Sequence, residues 1–258
     1  MRVKLLHLLV ILFSLTFLHP ASSASEAPRL NEILQKHLDA MGGLNNWNQV
    51  ESLRLSGTIE RDGQSFGIVI IKKRPNQIRA TVTIPHPNKP EKEIQIIRAH
   101  DGKQAWTATR FAGAPEMVKK AITGDVADDL LADAGVLPPL IKLWRESAEL
   151  ELLGTDYFKG ELVFVIDAAQ GEESSQQRFY LSADSFRTIA REKHTPTEIT
   201  QTILSDYQKK NGVYLPMHSL ITAESTGVST MQTESIEIGV GIYEEYFEVG
   251  EPAQTANL

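Results

Sequence analysis

Gly63-Gln64-Ser65-Phe66-Gly67 fits G-x-S-x-G, the elbow that presents a serine nucleophile to an ester or acyl carbonyl. That chemistry needs a strand, a sharp turn and then a helix, so that the serine stands at a helix N-terminus. Here Asp62-Gly63 is a two-residue hairpin signal and the residues after Ser65 read as a strand, so the motif carries no hydrolase reading. Metal chemistry fares no better. Beyond residue 24 the histidines are His37, His86, His100, His194 and His218, with no H-x-H, no H-E-x-x-H and no cysteine. They read as surface or strand-end residues. Asp128, Asp129 and Asp133 could form a paired-carboxylate site, but near the start of an amphipathic helix they read more simply as a solvated face in a favourable dipole. Glu244-Glu245 reads the same way, and no phosphate loop or dinucleotide fingerprint is present. The expectation is a chain with no catalytic residue, no metal and no cofactor.

What remains is apolar chemistry. Trp106, Phe111, Leu130, Leu131, Leu137, Leu140, Ile141 and Trp144 would gather where a strand over residues 104–110 meets a helical insert over residues 116–146. Each alone is an ordinary core residue. As a group they would line an apolar cavity, the concave space in which a lipid-like ligand is held.

The insert stands out because Leu137, Leu140, Ile141 and Trp144 repeat at helical spacing between long segments of period two. Gly135 and Pro138-Pro139 divide it into two pieces. A first helix is predicted over residues 28–41, with Leu30, Ile33, Leu34, Leu38 and Met41 as its stripe and Gly42-Gly43 as its stop. Trp47 follows in a short connector and is expected to pack under the sheet. Hairpin signals recur at Asp62-Gly63, Lys159-Gly160 and Asn211-Gly212, and the prolines of residues 86–90 predict an unpaired loop. The reading is α+β, mainly β: about eleven antiparallel strands in one meander, a sheet that must curl or close. Its last strand runs to residue 242.

Residues 1–24 read as a cleaved signal peptide, with Arg2 and Lys4 before an apolar run over residues 5–18 and Ser22-Ser23-Ala24 at the cleavage site. The run is short for a span of ~20 residues, and an uncleaved anchor is the alternative. Residues 25–258 read as one domain. The chain has 26 basic and 33 acidic residues, and losing the leader removes two of the basic ones. Nothing forms a basic stripe, which argues against nucleic acid and against anionic membrane as partners.

The chain resembles the periplasmic lipoprotein-carrier superfamily, the outer-membrane lipoprotein-sorting (Lol-type) proteins. The resemblance rests on Met41-Gly42-Gly43 followed by LRLSGTI, on Asp101-Gly102 leading to Trp106, and on residues 140–154 leading into ELELLG. YLSADSFRTIAREK, SDYQKKNGVYLPMHSL and the approach to Ile242 and Phe247 complete the order. It implies an eleven-stranded half-barrel with helices in its concave face and lipid or acyl chains held between. Arg54 and Arg79 match by position a buried arginine that locks the helical lid in the true shuttle. The chain looks more like the uncharacterised relatives than the shuttle. The expected function is a periplasmic, monomeric binder or carrier of a lipid or acylated lipoprotein ligand. The alternative is an envelope protein that grips a protein partner with the same fold.

Overall fold

The computed structural model describes residues 26–113, 117–169 and 176–248. The leader over residues 1–24 lies outside the described residues. Helix α1 spans Glu26–Ala40, and its stripe of Ile33, Leu34 and Leu38 is buried as the spacing predicts. Gly42 and Gly43 end it, and α2 (Leu44–Asn48) buries Trp47 completely.

The first half of the sheet is β1 (Ser52–Arg61), β2 (Gln64–Lys73), β3 (Gln77–His86), β4 (Lys89–His100), β5 (Ala105–Phe111) and β6 (Lys119–Ile122). Helices α3 (Asp125–Asp133) and α4 (Pro139–Arg145) follow. The second half is β7 (Glu149–Phe158), β8 (Glu161–Ala169), β9 (Gln176–Ser182), β10 (Thr188–His194), β11 (Ile199–Lys210), β12 (Val213–Ala223) and β13 (Gly227–Ile238). All three hairpin signals hold. Asp62-Gly63, Lys159-Gly160 and Asn211-Gly212 each have positive φ at both residues, as a type I′ turn requires.

Several expectations about the strands are corrected. The sheet has 13 strands, not eleven. Strand β6 occupies residues read as helix, because pairing with the edge of β5 (Ala105↔Ile122, Ala108↔Lys119) overrides a segment too short to show a period. The unpaired loop over residues 86–90 is a tight turn with His86 opposite Lys89. Pro87 sits in the turn and Pro90 at the start of β4, where a missing N–H costs little. The last strand stops at Ile238 rather than at residue 242.

The sheet order is β6-β5-β4-β3-β2-β1-β13-β12-β11-β10-β9-β8-β7. It is two meanders rather than one, joined where β1 pairs antiparallel with β13, from Leu53↔Ile238 to Arg61↔Ser229. The sheet is open, and it is strongly curled. Strands β3 and β9 are seven steps apart, roughly 34 Å on a flat sheet at ~4.8 Å per step. Yet Ile78 of β3 and Phe179 of β9 line one cavity.

The helices share one face of this sheet. Ile33 and Leu34 of α1 and Leu140 and Leu143 of α4 pack with Ile166 and Phe179. Leu38, Trp47 and Ile141 pack with Leu53 and Val213. The opposite face of β2–β5 is covered by residues 239–248. Lys73 Nζ donates to Ile242 O (2.9 Å) and pairs with Glu244, Arg79 donates to Tyr246 O (3.1 Å), and Trp106 Nε1 donates to Phe247 O (2.6 Å). Glu244 is therefore an anchor rather than part of a solvated acidic pair. Among the described residues no helix is long and apolar enough to cross a membrane.

Two positions under α1 carry tests. Gly42 has φ 112°, and a Cβ there would lie 2.3 Å from Gly212 O and 2.8 Å from Val213 Cα. Tyr214 N donates to Met41 O at 3.0 Å, so the turn cannot move away cheaply. Gly42→Ala should cost ~2–3 kcal/mol in urea unfolding. His37 is buried rather than a surface histidine: it stands three residues beyond Leu34, inside the apolar stripe. Its Nδ1 donates to Phe186 O at 2.7 Å, and its Nε2 has no partner among the described residues. Burial pushes its pKa down from 6.5 to about 4, so the folded state keeps it neutral while the unfolded chain takes up a proton. Its contribution is complete above pH 6.5 and is lost as pH falls from there toward 4, by about 3 kcal/mol in all. Urea midpoints measured across this window should slope steeply in the native protein and less in His37→Asn.

Candidate functional site: an apolar cavity with a charged edge

The chain leaves β6 at one edge of the sheet and must reach β7 at the other. It crosses the helix-bearing face as α3, the linker Ala134 to Pro138, and α4. Gly135 takes φ 81° to end α3, and Pro139 starts α4 in its first turn. Lys142, on α4, turns back and donates Nζ to the last carbonyls of α3: Leu131 O (2.9 Å), Ala132 O (3.5 Å) and Ala134 O (3.2 Å). A buried lysine that satisfies a helix C-terminus fixes the angle between α3 and α4.

Under this linker lies a cavity of about 290 Å³ with a mostly apolar wall. Leu55, Ile70, Ile78, Leu215 and Met231 form its sheet side, and Val136, Leu137 and Leu140 its cover. Leu204 and Tyr207 both border it, although they are three residues apart on β11. Asp206 between them has φ 55°, and neither it nor Met217 across the ladder is paired, a local twist of β11 within an unchanged register.

Three charges break the apolar wall: Lys72 of β2, Asp133 of α3 and Arg191 of β10. Arg191 donates to Asp133 at 2.9 Å, and four residues earlier on α3 Asp129 pairs with Lys193. Two carboxylates spaced i, i+4 thus meet two cations spaced i, i+2 on a strand. Helix α3 itself packs against β3, β4 and β5. The two ion pairs therefore tie the far arm of the sheet to the near one across its mouth. Asp129 is exposed and Asp133 half-buried, as a solvated face would have them, but both are ion-paired to residues about sixty positions later in the chain, which the sequence did not show. Burial alone would raise the Asp133 carboxyl, but Arg191 and Lys72 hold it below the usual carboxylate range. Burial lowers the Lys72 ammonium, opposed by Asp133.

The eight expected cavity residues are divided by this architecture. Leu137 and Leu140 line the cavity. Ile141 is core beside Trp47, and Trp144 bridges both helix-side clusters. Leu130 and Leu131 are half-buried on α3. Trp106 lies elsewhere: it pairs with Ala99, which faces Arg79, and pleat alternation puts all three opposite to Ile78. Its cluster is Ile97, Ala99 and Ala108, under Phe247. Phe111 is 48% exposed at the end of β5, near the ring of His86. Arg54 and Arg79 also face away from the helices: Arg54 pairs with Glu237 at 3.6 Å, and Arg79 lies over the rings of Trp106 and Tyr246. The arginine that holds the crossing segment is Arg191. Ser65 is exposed on β2 opposite Glu60, with no helix after it. Among the described residues no group of three His, Asp or Glu is placed to hold a metal.

Sequence reasoning missed Lys72, Asp133, Arg191 and Tyr207 as cavity residues. Lys72 was within reach, since Ile68, Ile70 and Lys72 share one parity along β2. Lys142→Met keeps the chain length of the side chain and removes its donors. It should cost about 1–3 kcal/mol and speed amide exchange in α3 more than in the sheet, as followed by hydrogen-exchange mass spectrometry.

No protein-family model matches the chain, and no curated protein matches it by sequence. Solved structures do. A domain assigned to outer membrane lipoprotein sorting, from Vibrio parahaemolyticus, superposes with a TM-score of 0.54 at 13% identity, over 84% of this chain and 94% of its own. A LolA superfamily protein from Nitrosomonas europaea gives 0.54 at 12% identity, over 84% and 96%. A DUF1329 family protein from Desulfovibrio piger gives 0.54 at 10% identity, over 84% and 96%. The chain shares its fold with these three structures.

Proposed function

We propose that this chain is a non-catalytic binding or carrier protein that holds a lipid-like ligand, or the acyl group of a lipoprotein, between its sheet and the α3–α4 crossing. The observation that carries this reading is the apolar cavity of about 290 Å³ under the crossing linker. Concave apolar space with a few polar groups at its edge is what a site for such a ligand needs. About ten methylenes buried at ~0.8 kcal/mol each would supply roughly 8 kcal/mol before ordering costs, enough for useful affinity with few polar contacts. The shared fold with a structure assigned to lipoprotein sorting supports the same class of ligand. In this reading residues 1–24 export the chain to the periplasm, and residues 25–258 act there as one half-barrel domain and as a monomer.

A second reading has its own observation. Among the described residues strand β7 is an unpaired sheet edge, with Leu153 and Tyr157 47% and 71% exposed, and such an edge can accept a strand of an envelope protein partner.

The test is native mass spectrometry, with lipid extraction, of protein exported with its own leader. The expected result is a bound mass in the range of a fatty acid, phospholipid or acyl group, lost from a variant whose cavity is filled by Met231→Trp. A clean apo mass that stays unchanged after incubation with envelope lipids would end the carrier reading and favour the edge.

A further inference from the structure

Lys72 is the least expected group in the cavity. It projects from the middle of the sheet into a wall of Leu53, Leu55, Ile70 and Ile78, and forms no hydrogen bond or ion pair among the described residues. Asp133 is the one carboxylate acting on it, and Asp133 is already bonded to Arg191 at 2.9 Å. The other nearby cation, Lys142, is taken up by the carbonyls of α3. Two cations and one carboxylate therefore border the same space, an excess of one positive charge facing apolar wall. A lysine without a bonded partner in such a place gives up its proton or meets something anionic.

The size of the space limits what that anion is attached to. About 290 Å³ is the low end for ligand sites. A methylene takes slightly less room than the ~30 Å³ of a liquid water molecule, so the cavity holds one chain of about ten carbons rather than two or three chains.

On the reading that the cavity binds a ligand at all, we infer that it selects a single-chain amphiphile with an anionic head group, the head lodged between Lys72 and Arg191 and the tail along Ile70, Leu215 and Met231. Lys72 supplies a free ammonium. Arg191, oriented by Asp133, supplies guanidinium N–H donors beyond the one it gives to that carboxylate. A carboxylate and a phosphate share this chemistry.

Four ten-carbon probes used below their micellar concentrations separate the possibilities: decanoate, decyl phosphate, decanol and decyltrimethylammonium. Each is titrated into the full mature chain against a neutral fluorescent probe, N-phenylnaphthylamine. Both anions should bind about tenfold or more tighter than decanol, and the cation weakest. Whichever anion binds tighter supports the proposal and names the head group, carboxylate for a fatty acid or phosphate for a lysophospholipid. Lys72→Met should reduce the anions to the level of decanol while leaving decanol unchanged, and Lys72→Arg should keep the preference. Equal affinity for decanol and the anions overturns the head-group assignment while leaving the cavity reading intact. An anion preference that survives in Lys72→Met overturns the role of Lys72. Tighter binding of didecanoyl phosphatidic acid than of decyl phosphate overturns the single-chain limit. If neither the anions nor decanol binds, the cavity reading itself fails.

Discussion

The antiparallel pairing of β1 with β13 is the constraint on which the rest of the structure depends. It sets the first and last strands side by side in the middle of the sheet, with Leu53 opposite Ile238. Each half of the chain must then meander outward from that seam, and the halfway point of the sequence falls at the two free edges. The chain has to pass from β6 to β7, and the shortest covered path runs across the helix-bearing face. Sheet curl follows from the same arrangement, since a twisted sheet of 13 strands cannot stay flat. The crossing segment becomes the body around which the sheet curls.

That crossing is short and is held at each step. Lys142 closes the last turn of α3, and Pro139 starts α4 in its first turn. Asp129 and Asp133 reach Lys193 and Arg191 on the far arm. Exposed pairs of this kind contribute little individually, but here the carboxylates share one helix and the cations one strand, so their geometry is cooperative. The apolar side chains of the linker cannot fill the full width of the curled sheet, and the cavity is what is left. Its charges come from the same tethering: Arg191 and Asp133 enter the wall as part of the tie, and Lys72 is brought beneath them by the parity of β2.

The two faces of the sheet explain why the expected apolar group does not stay together. Successive residues of a strand point to opposite sides, so Trp106 and its neighbour Ala105 belong to different layers. The helices take one layer, and residues 239–248 take the other, with Phe247 fully buried over the Trp106 cluster. Leu140, Ile141 and Trp144 were legible together because α4 holds them on one stripe, while Leu137, at the same spacing, lies just ahead of that helix in the linker. Trp106 was not assignable to either face, because its parity against the helices depends on the register of β5 with β4 and on a C-terminal segment far away in sequence.

The amino-acid sequence by itself determined the elements whose causes are local. Helix α1 follows from its 3.6-residue stripe, the three type I′ hairpins from Asn, Asp or Lys before Gly, and the break between α3 and α4 from Gly135 and Pro138-Pro139. The mainly β class and the antiparallel order within each half follow from period-two segments joined by short turns. Tertiary structure alone decided the seam between β1 and β13, the added strand β6, the partners of Asp129 and Asp133, the burial of His37 Nε2, and the cavity. Periodicity and turn chemistry act over a few residues and can be read along the chain. Strand pairing, ion-pair choice and unfilled volume arise between segments tens to hundreds of residues apart, and they exist only once the sheet has curled around its crossing helices.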